Sequence, residues 1–134
     1  MKERLYINKK IEVRKSSLHG YGVFAKEKIE KNEIIEECFY LVQPTSNPYN
    51  ADYLYKWPNT GEFRYNVLAL GFGSIYNSSK TLDERGAEWI TDEKNNIFIF
   101  KTIKPIEKDE EIFTYYGDNW WKNYNKKYLP ENIK

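Results

Sequence analysis

A short pattern occurs twice along the chain. Phe24 leads into Ile29-Glu30-Lys31-Asn32-Glu33-Ile34-Ile35, and Phe100 leads into Ile106-Glu107-Lys108-Asp109-Glu110-Glu111-Ile112. Each copy reads as a strand, a tight turn and a second strand. The turn carries Asn in one copy and Asp in the other, residues that tolerate positive φ and close turns on their own side chains. Two such hairpin-like units in 134 residues predict a mostly β fold of short strands. Chance similarity in a Lys/Glu/Ile-rich chain is the competing explanation. Other strand signals are equally short. Residues 11–14 alternate, residues 22–25, 33–36 and 39–42 are β-rich, and 111–115 is a further candidate. Ile97-Phe98-Ile99-Phe100 is apolar on both faces and predicts a central buried strand. The clearest helix start is Asn47-Pro48, an N-cap followed by Pro at the first helical position, running toward Trp57 and stopped by Pro58. A short helical turn is expected around Trp120 to Tyr124.

Size and composition remove several classes of function. The length suits one domain, with residues 11–121 as its body, an insert at about 44–70, and polar tails at 1–10 and 122–134. Lys and Arg number 21 against 20 Asp and Glu, which argues against direct charge-driven binding of nucleic acid or membrane. Cys38 and His19 are the single residues of their kinds. They exclude an internal disulfide and a Cys/His zinc cage, so no metal is expected. Any Ser-His-Asp or Cys-His nucleophile would have to use His19. No apolar run reaches membrane-spanning length, and the first residues are charged, so neither a membrane helix nor a signal peptide is expected. The expected compartment is the cytoplasm, or the nucleus in a eukaryote. Aromatic residues make up 17% of a chain whose mean hydropathy is −0.81. Rings in that number serve either a core or a site for a cation or a flat ring.

Three segments carry candidate chemistry. The first, His19-Gly20-Tyr21-Gly22-Val23-Phe24-Ala25, lets the backbone approach a ligand at its glycines, but lacks the third glycine and the helix of a dinucleotide site. The second, Leu70-Gly71-Phe72-Gly73-Ser74-Ile75-Tyr76-Asn77-Ser78-Ser79, packs small residues and an Asn between apolar ones. In the third, Glu110-Glu111-Ile112-Phe113-Thr114-Tyr115-Tyr116-Gly117-Asp118-Asn119-Trp120-Trp121, a strand ends in paired tyrosines, a Gly turn and paired tryptophans. Singly, each is also what a turn, a Gly-rich loop or an aromatic core edge looks like. In this order they resemble the SET-domain family of protein-lysine methyltransferases, most closely its small stand-alone bacterial and viral members. The resemblance runs from about Ile11 to Trp121. The family's opening x-Gly-x-Gly-Val-Phe-Ala matches residues 20–25, and its Ile-x-x-Gly-Glu-x-Ile turn matches 29–35 with Asn32 in the glycine slot. Its Gly-Ser-x-x-Asn-His-Ser segment matches 73–79, and its closing Ile-x-x-Gly-Glu-Glu-Ile…Tyr-Gly matches 106–117 with Asp109 in the glycine slot.

The resemblance implies a fold of small curved β-sheets (a β-clip) with short helices. It also implies a knot-like crossing where residues 76–79 meet 116–121. It implies S-adenosylmethionine as cofactor and transfer of its methyl group to a lysine side chain of a protein or peptide, and it leaves a homodimer open. Backbone groups of Gly20, Tyr21 and Gly22 would take the methionine end of the cofactor. Tyr76, Asn77 and the backbone at Ser78 would take its carboxy and adenine ends, and Trp121 would pack on the adenine ring. Tyr116 matches the catalytic tyrosine. Trp89 falls where an aromatic residue lines the lysine channel, with Tyr115 and Cys38 as looser candidates. Two departures stand out: Arg85-Gly86 stands where Pro-Asn is usual, and Ser78 replaces the family's histidine. The alternative that this departure suggests is a catalytically weak SET-like module that binds a peptide or protein partner. The acidic run of residues 107–111 offers either attraction for a basic peptide or an ordinary solvated turn.

Overall fold

A computed structural model describes residues 1–43, 53–62, 64–118 and 120–122. Among these residues the strands are β1 (Ile11–Lys15), β2 (Tyr21–Ala25), β3 (Ile34–Cys38), β4 (Tyr40–Gln43), β5 (Leu54–Trp57), β6 (Tyr65–Ala69), β7 (Ala87–Asp92) and β8 (Ile97–Thr102). They form three small antiparallel sheets, ordered β1-β2, β3-β8-β7 and β4-β6-β5. The mostly β architecture agrees with the short, separated strand signals. β8 lies between β3 and β7; Phe98 and Phe100 are fully buried on one face, and on the other Ile97 is buried and Ile99 half-buried.

The repeated pattern does not make two hairpins. β2 pairs with β1, and β3 pairs with β8. The second half of each copy bonds instead to the first half of the other. Asn32 N–H donates to the Thr102 carbonyl and Thr102 N–H to the Glu33 carbonyl, each at 3.0 Å. In the other copy, Asp109 N–H donates to the Ala25 carbonyl at 2.8 Å and Ala25 N–H to the Glu110 carbonyl at 3.0 Å. The copies meet at Ile29 and Ile106, which exchange two backbone bonds of 2.9 Å. Both turn residues have the expected positive φ, 64° at Asn32 and 69° at Asp109. The exchange buries Ile29, Ile35, Ile106 and Ile112 together in one core, a closure that two separate hairpins would not give.

Among the described residues, eight aromatic residues form that core or pack against it. Tyr76 stacks on Phe100 with centroids 4.7 Å apart, and Tyr40 stacks on Trp57 at 4.3 Å. Tyr55, Trp57 and Trp89 surround Phe98. These contacts explain why residues 54–57 form β5 and not the end of a helix from Asn47. Tyr55 and Trp57 are buried on one face while Lys56 faces outward, a period of two that outweighs the local helix-start signal. The start of that expected helix lies outside the described residues. Residues 111–115 pair only at isolated bridges, Glu111 with Phe24 and Thr114 with Ser78, because this segment changes partners along its length. The expected C-terminal helical turn is present at 118 and 120–122. The stretch before β1 is not loose: Ile7 bridges Glu36, and Tyr6 N–H and Lys2 Nζ both bond to the Glu37 carboxylate.

Thr102 secures the exchanged turn. It is fully buried, and its hydroxyl donates to the Glu30 carbonyl at 2.6 Å and accepts from Glu33 N–H at 2.9 Å. Thr102→Val keeps the shape and strands both backbone groups. The expected loss is about 1–3 kcal/mol in denaturant unfolding, with an unchanged slope.

Candidate active site

The segment 76–79 and the chain after Glu111 run side by side, and their bonds set the geometry of the site. Thr114 N–H donates to the Asn77 carbonyl at 3.0 Å, and Ser79 N–H donates to the Thr114 carbonyl at 2.8 Å. This is a parallel bridge centred on Ser78 and Thr114. In that pattern the N–H and carbonyl of Ser78 point away from Thr114. Two residues on, Tyr116 N–H donates to Ser78 Oγ at 3.0 Å, and the Tyr116 hydroxyl donates to the Tyr76 carbonyl at 2.5 Å. Trp121 Nε1–H donates to Ser78 Oγ at 3.1 Å and to the Ser79 carbonyl at 2.9 Å. The Ser78 hydroxyl in turn donates to the Ser79 carbonyl at 2.7 Å. A single small hydroxyl thus ties Tyr116 and the C-terminal helix to the crossing, where the resemblance led us to expect an imidazole.

Two cavities adjoin this crossing. The larger, of about 800 Å³, is bordered by His19, Asn77, Ser78, Phe113 and Trp121 among others. The smaller, of about 120 Å³, is bordered mainly by rings, including Tyr55, Trp89 and Tyr115. Tyr53, Tyr116 and Trp120 border both. Trp120 meets Tyr116 edge-on at 4.9 Å and Trp121 at 5.1 Å.

Asn77 organises the end of the larger cavity near β2. Its side-chain Nδ2 donates to the carbonyls of His19 and Tyr21, each at 3.1 Å, and to Glu111 Oε2 at 2.8 Å. Glu111 Oε1 accepts from Ser16 Oγ at 2.7 Å. A Cβ on Gly22 would collide with the Glu111 carboxylate, so only glycine permits this approach. Gly20 adopts φ +49° and is open on the side a Cβ would occupy. With three acceptors around Nδ2, the orientation of the amide is fixed. Its Oδ1 accepts no bond among the described residues.

The site residues named from the sequence divide into two groups. Asn77, Ser78, Tyr116, Trp121, Trp89 and Tyr115 border the cavities, and the backbone of Gly20 to Gly22 adjoins them through Asn77. Tyr115 donates its hydroxyl to Asp118, and that bond raises its pKa. Tyr76 and Cys38 are different. The Tyr76 ring is fully buried with its hydroxyl bonded to Glu36, so it offers the site its carbonyl and not its side chain. Cys38 borders neither cavity. It is buried beneath Gly73, and burial, followed by the nearby Glu36 charge, pushes its thiol well above the usual range. Glu111, Tyr53 and Trp120 also contribute, though none was among the site residues named from the sequence. Glu111 is hidden in an acidic run, yet its neighbours behave quite differently: Asp109 pairs with Arg14, and Glu110 Oε1 accepts from Glu107 N–H at 2.9 Å within the turn.

Residues 20–117 match the model of the SET domain. The chain belongs to the SET-domain protein-lysine methyltransferases. Over 122 residues it is 30% identical to a Schizosaccharomyces pombe histone-lysine N-methyltransferase specific for H3 lysine-37, covering 86% of this chain and 78% of that protein. A solved structure of a candidate histone methyltransferase from Plasmodium falciparum is 39% identical, covers 86% of this chain and 99% of its own, and superposes with a TM-score of 0.65. The methyltransferase domain of human PR domain-containing protein 2 shares the fold at 19% identity, with 84% and 81% coverage and a TM-score of 0.64. The family's reaction is methylation of lysine side chains in proteins, and SET methyltransferases use S-adenosylmethionine. Among the described residues no helix is long and apolar enough to cross a membrane.

The Ser78 hydroxyl gives this SET domain a specific test. Ser78→Ala removes the acceptor for Tyr116 N–H and one of two acceptors for the Trp121 indole. A net hydrogen bond contributes about 1 kcal/mol, so amide exchange at Tyr116 should quicken by roughly fivefold to tenfold in hydrogen-exchange measurements. The Trp emission spectrum should shift to the red. Unchanged exchange at Tyr116 would show that the hydroxyl is not the anchor.

Proposed function

We propose that this chain transfers a methyl group from S-adenosylmethionine to a lysine of a histone or another basic protein tail, with Tyr116 as the catalytic residue. The observation that carries this reading is the position of Tyr116 on the common wall of the two cavities, its hydroxyl directed by the Tyr76 carbonyl. The larger cavity suits the cofactor and the ring-lined one a lysine side chain. The cytoplasm, or the nucleus of a eukaryotic source, is the proposed compartment.

The groups around the larger cavity fit the parts of S-adenosylmethionine. Asn77 Oδ1 is an acceptor, which suits the ammonium of the methionine end better than its carboxylate. The outward N–H and carbonyl of Ser78 offer a donor and an acceptor side by side, which suits the edge of adenine. Trp121 supplies a flat apolar face held at its indole nitrogen. When bound, the cofactor supplies an electrophilic methyl group on a sulfonium. The remaining chemistry belongs to the protein.

A lysine amine must be neutral to attack, whereas in water its pKa is about 10.4. Tyr55, Trp89 and Tyr115 around the smaller cavity replace water with ring surface, which lowers that pKa by desolvation. The same rings hold the aliphatic stem and tolerate the cation before it gives up its proton to solvent water. Tyr116 then orients the amine. Because its proton is engaged by the Tyr76 carbonyl, the hydroxyl turns oxygen lone pairs toward the junction of the cavities. There they accept an N–H of the amine and fix its direction of attack. Orientation of this kind accounts for several kcal/mol of a barrier.

Tyr116→Phe removes the hydroxyl and leaves the ring against Trp120. Turnover on a histone-tail peptide should fall by about 100-fold or more. The Kd for S-adenosylhomocysteine, measured by calorimetry, should stay within about threefold. Wild-type turnover in the variant would overturn the assignment of Tyr116. Failure of the wild-type protein to bind S-adenosylhomocysteine at millimolar concentration would favour a peptide-binding module.

A further inference from the structure

Glu36 lies on β3 with 2% of its surface exposed and borders neither cavity. A carboxyl so deeply buried is costly unless its oxygens are bonded. Here Oε2 accepts from Phe72 N–H at 2.6 Å, and Oε1 accepts from the Tyr76 hydroxyl at 3.0 Å. Burial pushes its pKa up, while the bonds from Phe72, Cys38 and Tyr76 oppose that shift.

The Gly71-Phe72-Gly73 run is shaped to this carboxyl. A Cβ on Gly71, whose φ is +86°, would lie 2.5 Å from Glu36 Oε2. A Cβ on Gly73 would lie 2.6 Å from the Ala69 Cβ and 3.1 Å from Cys38 Sγ. Both glycines therefore let the turn settle onto β3 and its carboxyl. The turn leads directly into Tyr76, whose ring is stacked on Phe100 along its face and held by Glu36 at its hydroxyl. The carbonyl of the same residue receives the Tyr116 hydroxyl. With ring and turn both fixed, that carbonyl has one direction in which to point.

We propose that Glu36 is a positioning residue for methyl transfer: it locks the Tyr76 ring and the preceding turn, and through them aims the Tyr116 hydroxyl. This rests on the reading of Tyr116 as the catalytic residue. Glu36 touches neither substrate nor cofactor, so its loss should appear in kcat and not in binding.

The test is a double-mutant cycle of Glu36→Gln and Tyr76→Phe, with Tyr116→Phe assayed beside it. Each single variant of the pair should lower kcat by about tenfold, the peptide KM and the Kd for S-adenosylhomocysteine staying within about twofold. The double variant should be no slower than the worse single: Gln has one acceptor oxygen for two donors, and once Phe72 N–H takes it, the bond from the Tyr76 hydroxyl is the one that both changes remove. Multiplying losses in the double variant, or an effect on KM and Kd with kcat intact, would overturn the proposal. So would wild-type kcat in Tyr76→Phe, which keeps the packed ring and tests the link even if Glu36→Gln does not fold. The two readings fail separately. Wild-type turnover in Tyr116→Phe removes the catalytic assignment, whereas inactive Tyr116→Phe with fully active Tyr76→Phe removes only the role of Glu36.

Discussion

The parallel bridge between Ser78 and Thr114 is the contact on which the site depends. It joins segments more than thirty residues apart, and closing a loop of that length is entropically unfavourable before any contact rewards it. The reward is collected locally. Within a few residues of the bridge, backbone and side-chain bonds fix Asn77, Ser79, Tyr116 and Trp121. The bridge places the borders of both cavities on the same short stretch of backbone. A shift of the bridge would move Asn77 and Tyr116 together, keeping the two ends of the proposed site in register.

The aromatic residues then divide by depth. Rings that touch Phe98 and Phe100 are core, and their burial builds the floor of the site. Tyr116, Trp120 and Trp121 form a second group around the crossing, each edge-on to the next. Tyr55 and Trp89 belong to both, meeting edge-on at 5.0 Å and contacting Phe98 while bordering the smaller cavity. A cavity wall that is also core is stiff, since core side chains are close-packed and held in their rotamers.

Much of this was legible in the chain. The strands 11–15, 21–25, 34–38 and 97–102 follow from apolar patterning, and the Asn32 and Asp109 turns follow from residue type. Pairing was not legible, because alternation tells which face of a strand is buried and not which strand covers it; the repeated units therefore read as hairpins. β5 was masked by Asn47-Pro48 and Pro58, local signals that say nothing of Phe98 waiting opposite Trp57. At the site, the motifs located Tyr116, Asn77 and Trp121, all on segments with distinctive residue types. The roles of Glu36 and Glu111 escaped notice because a buried or half-buried carboxylate looks like any other Glu in a chain with 20 acidic residues. Only its partners, Phe72 N–H and Tyr76 for one, Asn77 and Ser16 for the other, reveal it.

The two copies of the repeat show how one local pattern supports different work. Ile35 and Ile112 occupy the same place in each copy, and both are fully buried. One residue earlier the copies part: Ile34 is 40% exposed, whereas Glu111 turns inward to Asn77 and Ser16. The backbone exchange at Ile29 and Ile106 is the same from either side, so it places no chemical demand on this position. It is the neighbour that differs. Beside Glu111 lies β2 with its Gly22, whose missing Cβ leaves room for a carboxylate. Beside Ile34 lies Lys101 on β8, whose ammonium is 4.0 Å from Glu88 and whose long stem can cover an apolar side chain. The symmetry of the backbone thus sets where the strands run, and the missing Cβ of Gly22 leaves the room in which Glu111 meets Asn77 and Ser16.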